Sequence, residues 1–178
     1  MSRNILIIML LILCSLASHA YAENRTFGDW VVSPSGGIYE AFTANDSGST
    51  FGVLCGADDC KFYLRLGISS CDKDASYTTL INSDSGSSVF NLSCSPLTIE
   101  GRKEYVLLIE ESLKSLSDPL LKTTTIGFAI PMAGGQFKVS RFSMRGFPKA
   151  MELIGNLRTK DESEKKSQGS HDIRDTNL

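Results

Sequence analysis

The sequence predicts a mainly β domain, an antiparallel sandwich or barrel with one short C-terminal helix, stabilised by disulfides. Short runs rich in β-branched and aromatic residues alternate with turn-forming residues about every ten positions, the pattern of an all-β domain. Four cysteines lie close together between residues 55 and 94. An apolar stripe at helical spacing follows the last predicted strand, so a helix is expected to close the domain.

The first 22 residues have the features of a cleaved signal peptide. Arg3 supplies the positive charge, residues 5–13 form an apolar run, and residues 20–22 (AYA) provide the small residues of a cleavage site. The apolar run is well short of the roughly 20 residues that span a bilayer. We therefore expect an exported protein, located in the periplasm, outside the cell or on its surface, and not transmembrane after cleavage.

The rest of the chain divides into a domain and a tail. Residues 23–157 are long enough for one β-rich domain. Residues 158–178 are polar and charged, and they offer too little apolar surface to offset the entropy of ordering. We therefore expect this tail to be disordered.

The cysteines indicate disulfides and not a metal site. Without Cys14, which lies in the signal peptide, Cys55, Cys60, Cys71 and Cys94 remain, an even number in an exported chain. Four cysteines allow three connectivities, which the sequence leaves open. We favour Cys55–Cys60 across a tight turn and Cys71–Cys94 around a longer loop. The spacings lack the paired C-x-x-C units of structural zinc sites, so no metal and no cofactor are expected.

The strands can be placed from alternation and turn signals. Residues 77–81 and 89–92 are expected to form a hairpin, and the continuous apolar run 105–109 a central strand. In the last strand we expect Phe137, Val139 and Phe142 to face inward. The expected strands are 27–32, 38–43, 50–55, 61–68, 77–81, 89–92, 105–109, 123–132 and 136–144.

Two segments have helical spacing. Leucines at 113, 116 and 120 predict one or two helical turns that end near Pro119, because the residue before a proline disfavours the α conformation. Pro148 fits the first turn of a helix. Phe147 and Ile154 then lie on one apolar side of the predicted C-terminal helix.

The histidine content argues against most catalytic mechanisms. The two histidines are His19, in the signal peptide, and His171, in the tail. Residues 23–157 therefore lack the base of Ser-His-Asp and Cys-His catalysis and the commonest transition-metal ligand. The paired acids at 58–59 and 110–111 are sequence neighbours, whereas a glycosidase needs carboxyl groups opposed across a cleft. We expect a protein that is not an enzyme.

Two groups of residues are candidates for binding. The first group is basic, lies near the C-terminal end of the domain, and forms either a partner-binding patch or the solvent-facing side of a strand: Lys138, Arg141, Arg145 and Lys149. The net charge is −2, and the sequence has no continuous basic surface of the kind that binds nucleic acid.

The second group is aromatic. Trp30, the single tryptophan, is expected to fill the core with its indole N–H bonded to a partner. Alternatively, Trp30, Tyr39 and Tyr63 are candidate stacking platforms for a glycan or a small ligand.

Two segments resemble the invasion-associated locus B family of exported bacterial proteins. Residues 27–32 (FGDWVV) resemble that family's opening G-D-W and strand, and residues 142–150 (FSMRGFPKA) resemble its terminal S-L-K-G-F-x-x-A stretch. Family members often carry a cysteine soon after G-D-W, where this chain has Ser33 and Pro34, so the cysteine framework can differ. The middle of the chain shows no such likeness.

The resemblance implies an exported β-rich domain linked to host-cell entry, without a known catalytic site. The function expected from the sequence is therefore non-enzymatic binding of a protein or envelope partner, including in host-cell interaction. The alternative is a periplasmic or secreted sandwich that binds a glycan or another small ligand.

Overall fold

A computed structural model describes residues 23–68, 70–72, 75–99 and 102–169. The expected signal peptide and residues 170–178 lie outside this part of the chain. The described residues form ten strands and two α-helices: β1 (Arg25–Phe27), β2 (Trp30–Ser35), β3 (Ile38–Ala44), β4 (Thr50–Cys55), β5 (Cys60–Arg65), β6 (Ser76–Ser83), β7 (Gly86–Ile99), β8 (Arg102–Ile109), α1 (Leu113–Leu120), β9 (Thr125–Pro131), β10 (Phe137–Ser143) and α2 (Phe147–Gly169).

All neighbouring strands are antiparallel, in the order β1-β2-β3-β4-β5-β8-β7-β6-β9-β10. The mainly β, antiparallel fold is therefore confirmed. Strands β5 and β8 are joined by two residue pairs, Tyr63 with Leu108 and Leu64 with Leu107. This short seam divides the sheet into a first half, β1 to β5, and a second half that contains the other strands.

The two halves face each other across an aromatic core. Phe51 on β4 is fully buried, and its ring centroid lies 5.1 Å from that of Phe128 and 5.8 Å from that of Phe142, both in the second half. It also stacks on Phe62 at 5.7 Å and meets the edge of Trp30 at 5.9 Å. Phe51 thus contacts aromatic rings of both layers of the sandwich.

The predicted hairpin and central strand are present. Strands β6 and β7 pair antiparallel around the turn at residues 84–85. Strand β8 lies between β5 and β7, with Val106, Leu107 and Ile109 buried, as its apolar run predicts.

The two favoured disulfides are both formed. Cys55 and Cys60 are directly opposed on β4 and β5, with their Cα atoms 4.0 Å apart. Cys71 reaches Cys94 on β7 over a Cα distance of 6.1 Å. The second bridge therefore fixes the segment between β5 and β6 to the second half of the sheet.

Helix α1 forms where the leucine spacing predicted it. The hydroxyl of Ser112 accepts a hydrogen bond from the Ser115 N–H at 3.2 Å, which caps the first turn. Leu116 and Leu120 are buried, and Pro119 lies in the last turn.

Helix α2 begins at the predicted place but is longer than the short helix that was expected. Phe147, Ala150 and Ile154 are buried, and the helix contacts β1, β2 and β3. It continues to Gly169, so residues 158–169 are helical instead of disordered. No helix in the described ranges is both long and apolar enough to span a membrane.

Candidate protein-binding surface

The four basic residues proposed for partner binding do not form one patch. The ammonium of Lys138 donates a hydrogen bond to the Leu66 carbonyl at 2.6 Å. Arg145 is paired with Asp29, and Lys149 is exposed on α2. Arg141 is exposed on β10, on the opposite side of the strand from Lys138. Lys138 and Arg145 are thus held by their own partners, and Lys149 lies on a helix. None of the three forms a patch with Arg141.

The two segments that carry the family resemblance meet in space. Arg145 Nη2 lies 2.7 Å from Asp29 Oδ1, and its Nε lies 3.2 Å from Asp29 Oδ2. The Ser143 hydroxyl donates to the same carboxylate at 2.6 Å. We call Asp29, Ser143 and Arg145 the clasp. Hydrogen bonds from Arg145 and Ser143 hold the pKa of Asp29 below its ordinary value, so the carboxylate stays ionised.

Backbone contacts beside the clasp bring the segments still closer. The Asp29 N–H donates to the Arg145 carbonyl at 2.9 Å, and the Trp30 indole N–H donates to the Ser143 carbonyl at 3.0 Å. Gly146 has a φ of +101°, and a Cβ there would lie 1.7 Å from the Phe27 carbonyl oxygen. These contacts explain both motifs through packing, because they join the first strands to the end of β10.

The three aromatic candidates for ligand stacking are buried. Trp30 is 0% exposed and packs on Phe147 at a centroid distance of 4.9 Å. The Tyr39 hydroxyl donates to Asp161, and the Tyr63 hydroxyl donates to Glu40. Burial, together with the neighbouring carboxylate, raises the pKa of Tyr39 to about 12 and also raises that of Tyr63. The geometry gives these rings no free face for a sugar, so it does not favour the glycan hypothesis.

The prediction for β10 was wrong for two residues. Phe142 is buried as expected, but Phe137 is 66% exposed and Val139 is 61% exposed. Apolar residues occur on both sides of this strand, so alternation alone does not identify the inner side. Phe142 faces inward because it fills the core beside Phe51 and Phe128. Phe137 and Val139 are then left in solvent.

These exposed residues belong to a row of apolar side chains that crosses four strands. Val139 on β10 pairs with Ala129 on β9, Ala129 pairs with Leu80 on β6, and Leu80 pairs with Val89 on β7. Directly paired residues point to the same side of a sheet, so the four side chains are neighbours. Leu80 and Val89 are 47% and 63% exposed. We call this row, with Phe137 beside it, the outer face.

A polar row borders the outer face two residues further along each strand. Its members are paired in the same way and are Ser87, Asn82, Gly127 and Arg141. Gly127 has no side chain, and the Cγ of Arg141 lies 3.5 Å from where a Cβ would be. The aliphatic part of the Arg141 side chain therefore lies over Gly127. It is at the edge of a shallow depression of about 360 Å³ that Leu80, Val139 and Asp84 also line.

The outer face carries little charge. The guanidinium of Arg141 forms no ion pair with any residue that the structure describes. Asp84, in the β6–β7 turn at the same end of the strands, accepts a hydrogen bond from the Thr124 N–H at 2.7 Å. Hydrogen bonds from Thr124 lower the pKa of Asp84, so it is an anion at neutral pH. The face thus presents an apolar strip with one cation and one anion at one end.

Other acidic side chains are engaged within the fold. Glu40 and Glu104 flank Arg65 at 3.8 and 3.4 Å, and Asp59 pairs with Lys61 at 3.2 Å. Among the described residues, no three His, Cys, Asp or Glu side chains come close enough to share a metal ion. The outer face, by contrast, is an exposed apolar row that crosses four neighbouring strands. Its sequence signal was the presence of apolar residues on both sides of β10.

No protein-family model matches the sequence, and no curated protein matches it. Among solved structures, the crystal structure of invasion associated protein B from Bartonella henselae is similar, with a TM-score of 0.54. The match covers 78% of this chain and 99% of that chain, at 16% sequence identity. At this identity the similarity shows a shared β-rich fold.

Proposed function

We propose that this chain is an exported, non-enzymatic β-domain that acts by binding a protein partner through its outer face. The observation that carries the proposal is the exposed row of Val89, Leu80 and Val139, which is continuous across the sheet. Contiguous apolar patches on a soluble domain mark interaction sites, and the cores of interfaces are depleted of charge.

Export is supported by the disulfides and by the fold. Two disulfides form between the four cysteines of the described domain, and disulfides persist in oxidising compartments. The similar solved structure is that of an invasion associated protein, and the proposal extends that role to this chain as contact with a host cell or with the cell envelope.

The test is capture of a partner by the oxidised domain and by variants of its outer face. Residues 23–178 are immobilised and exposed to envelope and host-cell extracts. A carboxylate placed in the apolar row must be desolvated on binding, so L80D and V139D should each weaken capture of the specific partner at least about tenfold.

The matched control is I38D. Ile38 is also an apolar strand residue, 50% exposed, but it lies on β3 in the first half of the sheet. Capture by I38D should equal capture by the wild type. If all four proteins capture the same set equally well, the outer face is not the binding surface and the proposal fails.

A further inference from the structure

We infer that the partner to which the outer face is complementary is a second copy of this chain. This inference rests on the proposed function, since it names the occupant of the same surface. It follows from the order of residues across β7, β6, β9 and β10, which is complementary to itself under a two-fold rotation.

Consider a two-fold axis that lies above the outer face, between the two copies. It runs parallel to the strands and midway between β6 and β9, the two central strands of the face. Rotation by 180° about this axis places β10 of one copy over β7 of the other, and β6 over β9. Because Val139, Ala129, Leu80 and Val89 share one row, Val139 then faces Val89 of the second copy. Leu80 faces the smaller Ala129. Within this row each exposed large side chain meets an apolar partner, and the contact is isologous, as a two-fold dimer requires.

The same rotation pairs the charges of the face. Arg141 lies on β10, two residues beyond Val139 and toward the end of the sheet where the β6–β7 turn carries Asp84. The rotation brings the β6–β7 turn of the second copy over β9 and β10 of the first copy. Arg141 of each copy therefore approaches Asp84 of the other, and the symmetry gives two such ion pairs. Within one copy neither group has an ion pair with a described residue, although Asp84 is oriented by its bonds to Thr124.

The size of the face indicates how strong such a dimer is. Four strands at about 4.8 Å spacing and three rows of side chains cover about 19 by 20 Å, roughly 400 Å² on each copy. The total of about 800 Å² is below the roughly 1,200 Å² at which standard interfaces begin. The dimer is thus expected to be weak and reversible, forming at high local concentration such as that of an envelope compartment.

The experiment is sedimentation equilibrium of the oxidised chain, residues 23–178, from about 10 µM to about 1 mM, the range in which so small an interface binds. The wild type and I38D should show the same reversible dimer. V139D should weaken dimerisation at least about tenfold.

A charge exchange then tests the arrangement of the two copies. In an R141D dimer an acid at position 141 of one copy faces Asp84 of the other, and in a D84R dimer two basic side chains face each other. Each variant alone should therefore dimerise at least about tenfold more weakly than the wild type. An equimolar mixture of R141D and D84R restores both ion pairs and should associate within about threefold of the wild type. Equal dimerisation of R141D and the wild type, or a mixture that remains monomeric, would overturn the inference.

A second pair of variants guards against damage to the turn, because Asp84 accepts bonds from Thr124. D84N retains an acceptor oxygen and R141Q retains a polar side chain, so both should fold normally and dimerise more weakly. A wild type that is monomeric up to about 1 mM overturns the inference. In that case the proposed function still stands if L80D and V139D lose a captured protein, and it fails with the inference if they do not.

Discussion

Arg145 and Asp29 form an ion pair with a 2.7 Å Nη2–Oδ1 distance, although 116 residues separate them in the sequence. Asp29 follows β1, the first strand of the sheet order, and Arg145 follows β10, the last. The pair therefore fastens the two ends of the sheet to each other. Ser143 strengthens it by donating to the same carboxylate.

The clasp should make the free energy of unfolding depend on pH in the acidic range. The pKa of Asp29 is lower in the folded state than its ordinary value of 3.8, so its contribution is present above that value and is lost as the pH falls through the folded pKa. D29N removes the charge while retaining an acceptor. The difference in unfolding free energy between wild type and D29N should thus shrink between about pH 5 and pH 2, measured by urea denaturation. A difference that is constant over this range would show that the clasp does not depend on ionised Asp29.

Gly146 should tolerate no side chain. Its φ is +101°, and an added Cβ would lie 1.7 Å from the backbone oxygen of Phe27, so G146A must push two backbone segments apart. We expect a loss of at least about 3 kcal/mol, or insoluble protein. The matched control is G36A, which has a φ of +57° with no atom within 4 Å of the new Cβ. This variant should lose only about 1–2 kcal/mol from the backbone conformation. Similar losses for the two variants, measured by thermal and urea unfolding, would contradict the close approach at Gly146.

Phe51 should be among the most costly core residues to truncate. F51A removes contacts with aromatic rings in both halves of the sheet, and we expect a loss of about 3–5 kcal/mol. F137A makes the same chemical change at a ring that is 66% exposed, and its stability should stay within about 0.5 kcal/mol of the wild type. Urea denaturation of both variants measures the two losses in unfolding free energy. A small effect of F51A would mean that the two layers do not meet at this ring.

The second half of α2 should contribute to stability. Arg158 donates to the Ala57 carbonyl at 3.1 Å and to the Cys60 sulfur at 3.2 Å, and Asp161 accepts from Tyr39. A chain that ends at Leu157 loses these contacts and should lose about 1–3 kcal/mol. A chain that ends at Gly169 keeps them and serves as the control. This expectation replaces the disordered tail predicted from the sequence, and equal melting temperatures for the two chains would contradict the contacts of Arg158 and Asp161.

Tyr39 should make the protein sensitive to alkali. Its pKa is raised from 10.0 to about 12 in the folded state, so its stabilising effect is complete below pH 10 and is lost as the pH rises toward 12. Y39F has no ionisable hydroxyl and should lose less stability than the wild type between those two values. Melting temperatures recorded across the alkaline range, with absorbance at the tyrosinate band, test this. Parallel curves for the two proteins would place the alkaline transition at another group.

Some of this fold follows from the sequence because the signals are local. The spacing of Leu113, Leu116 and Leu120 determines a helix regardless of its neighbours, and the position of Pro148 marks the start of another. The pairing of Cys55 with Cys60 agrees with a hairpin between them, in which the two residues are directly opposed. Such features depend on a few consecutive residues.

Other features depend on distant residues and could not be predicted in this way. Residues 136–144 carry apolar side chains on both sides of the strand, and the choice of Phe142 as the inner one depends on Phe51 and Phe128. The helix beyond residue 157 is held by Tyr39 and Ala57, which its own polar composition does not reveal. The outer face was missed for the same reason, because Leu80 and Val139 become neighbours only through Ala129.

The seam of two residue pairs between β5 and β8 has a consequence for how the chain acquires its shape. Strands β1 to β5 are joined by successive hairpins, so they can form while the rest of the chain is still emerging during synthesis. The layer opposite them includes β10, which is nearly the last strand in the sequence, and the contacts of Phe142 must wait for it. Contacts between residues so far apart are formed late and slowly in folding. We therefore expect the two layers to dock late in folding, and until they do the aromatic residues of the first layer are exposed to other proteins.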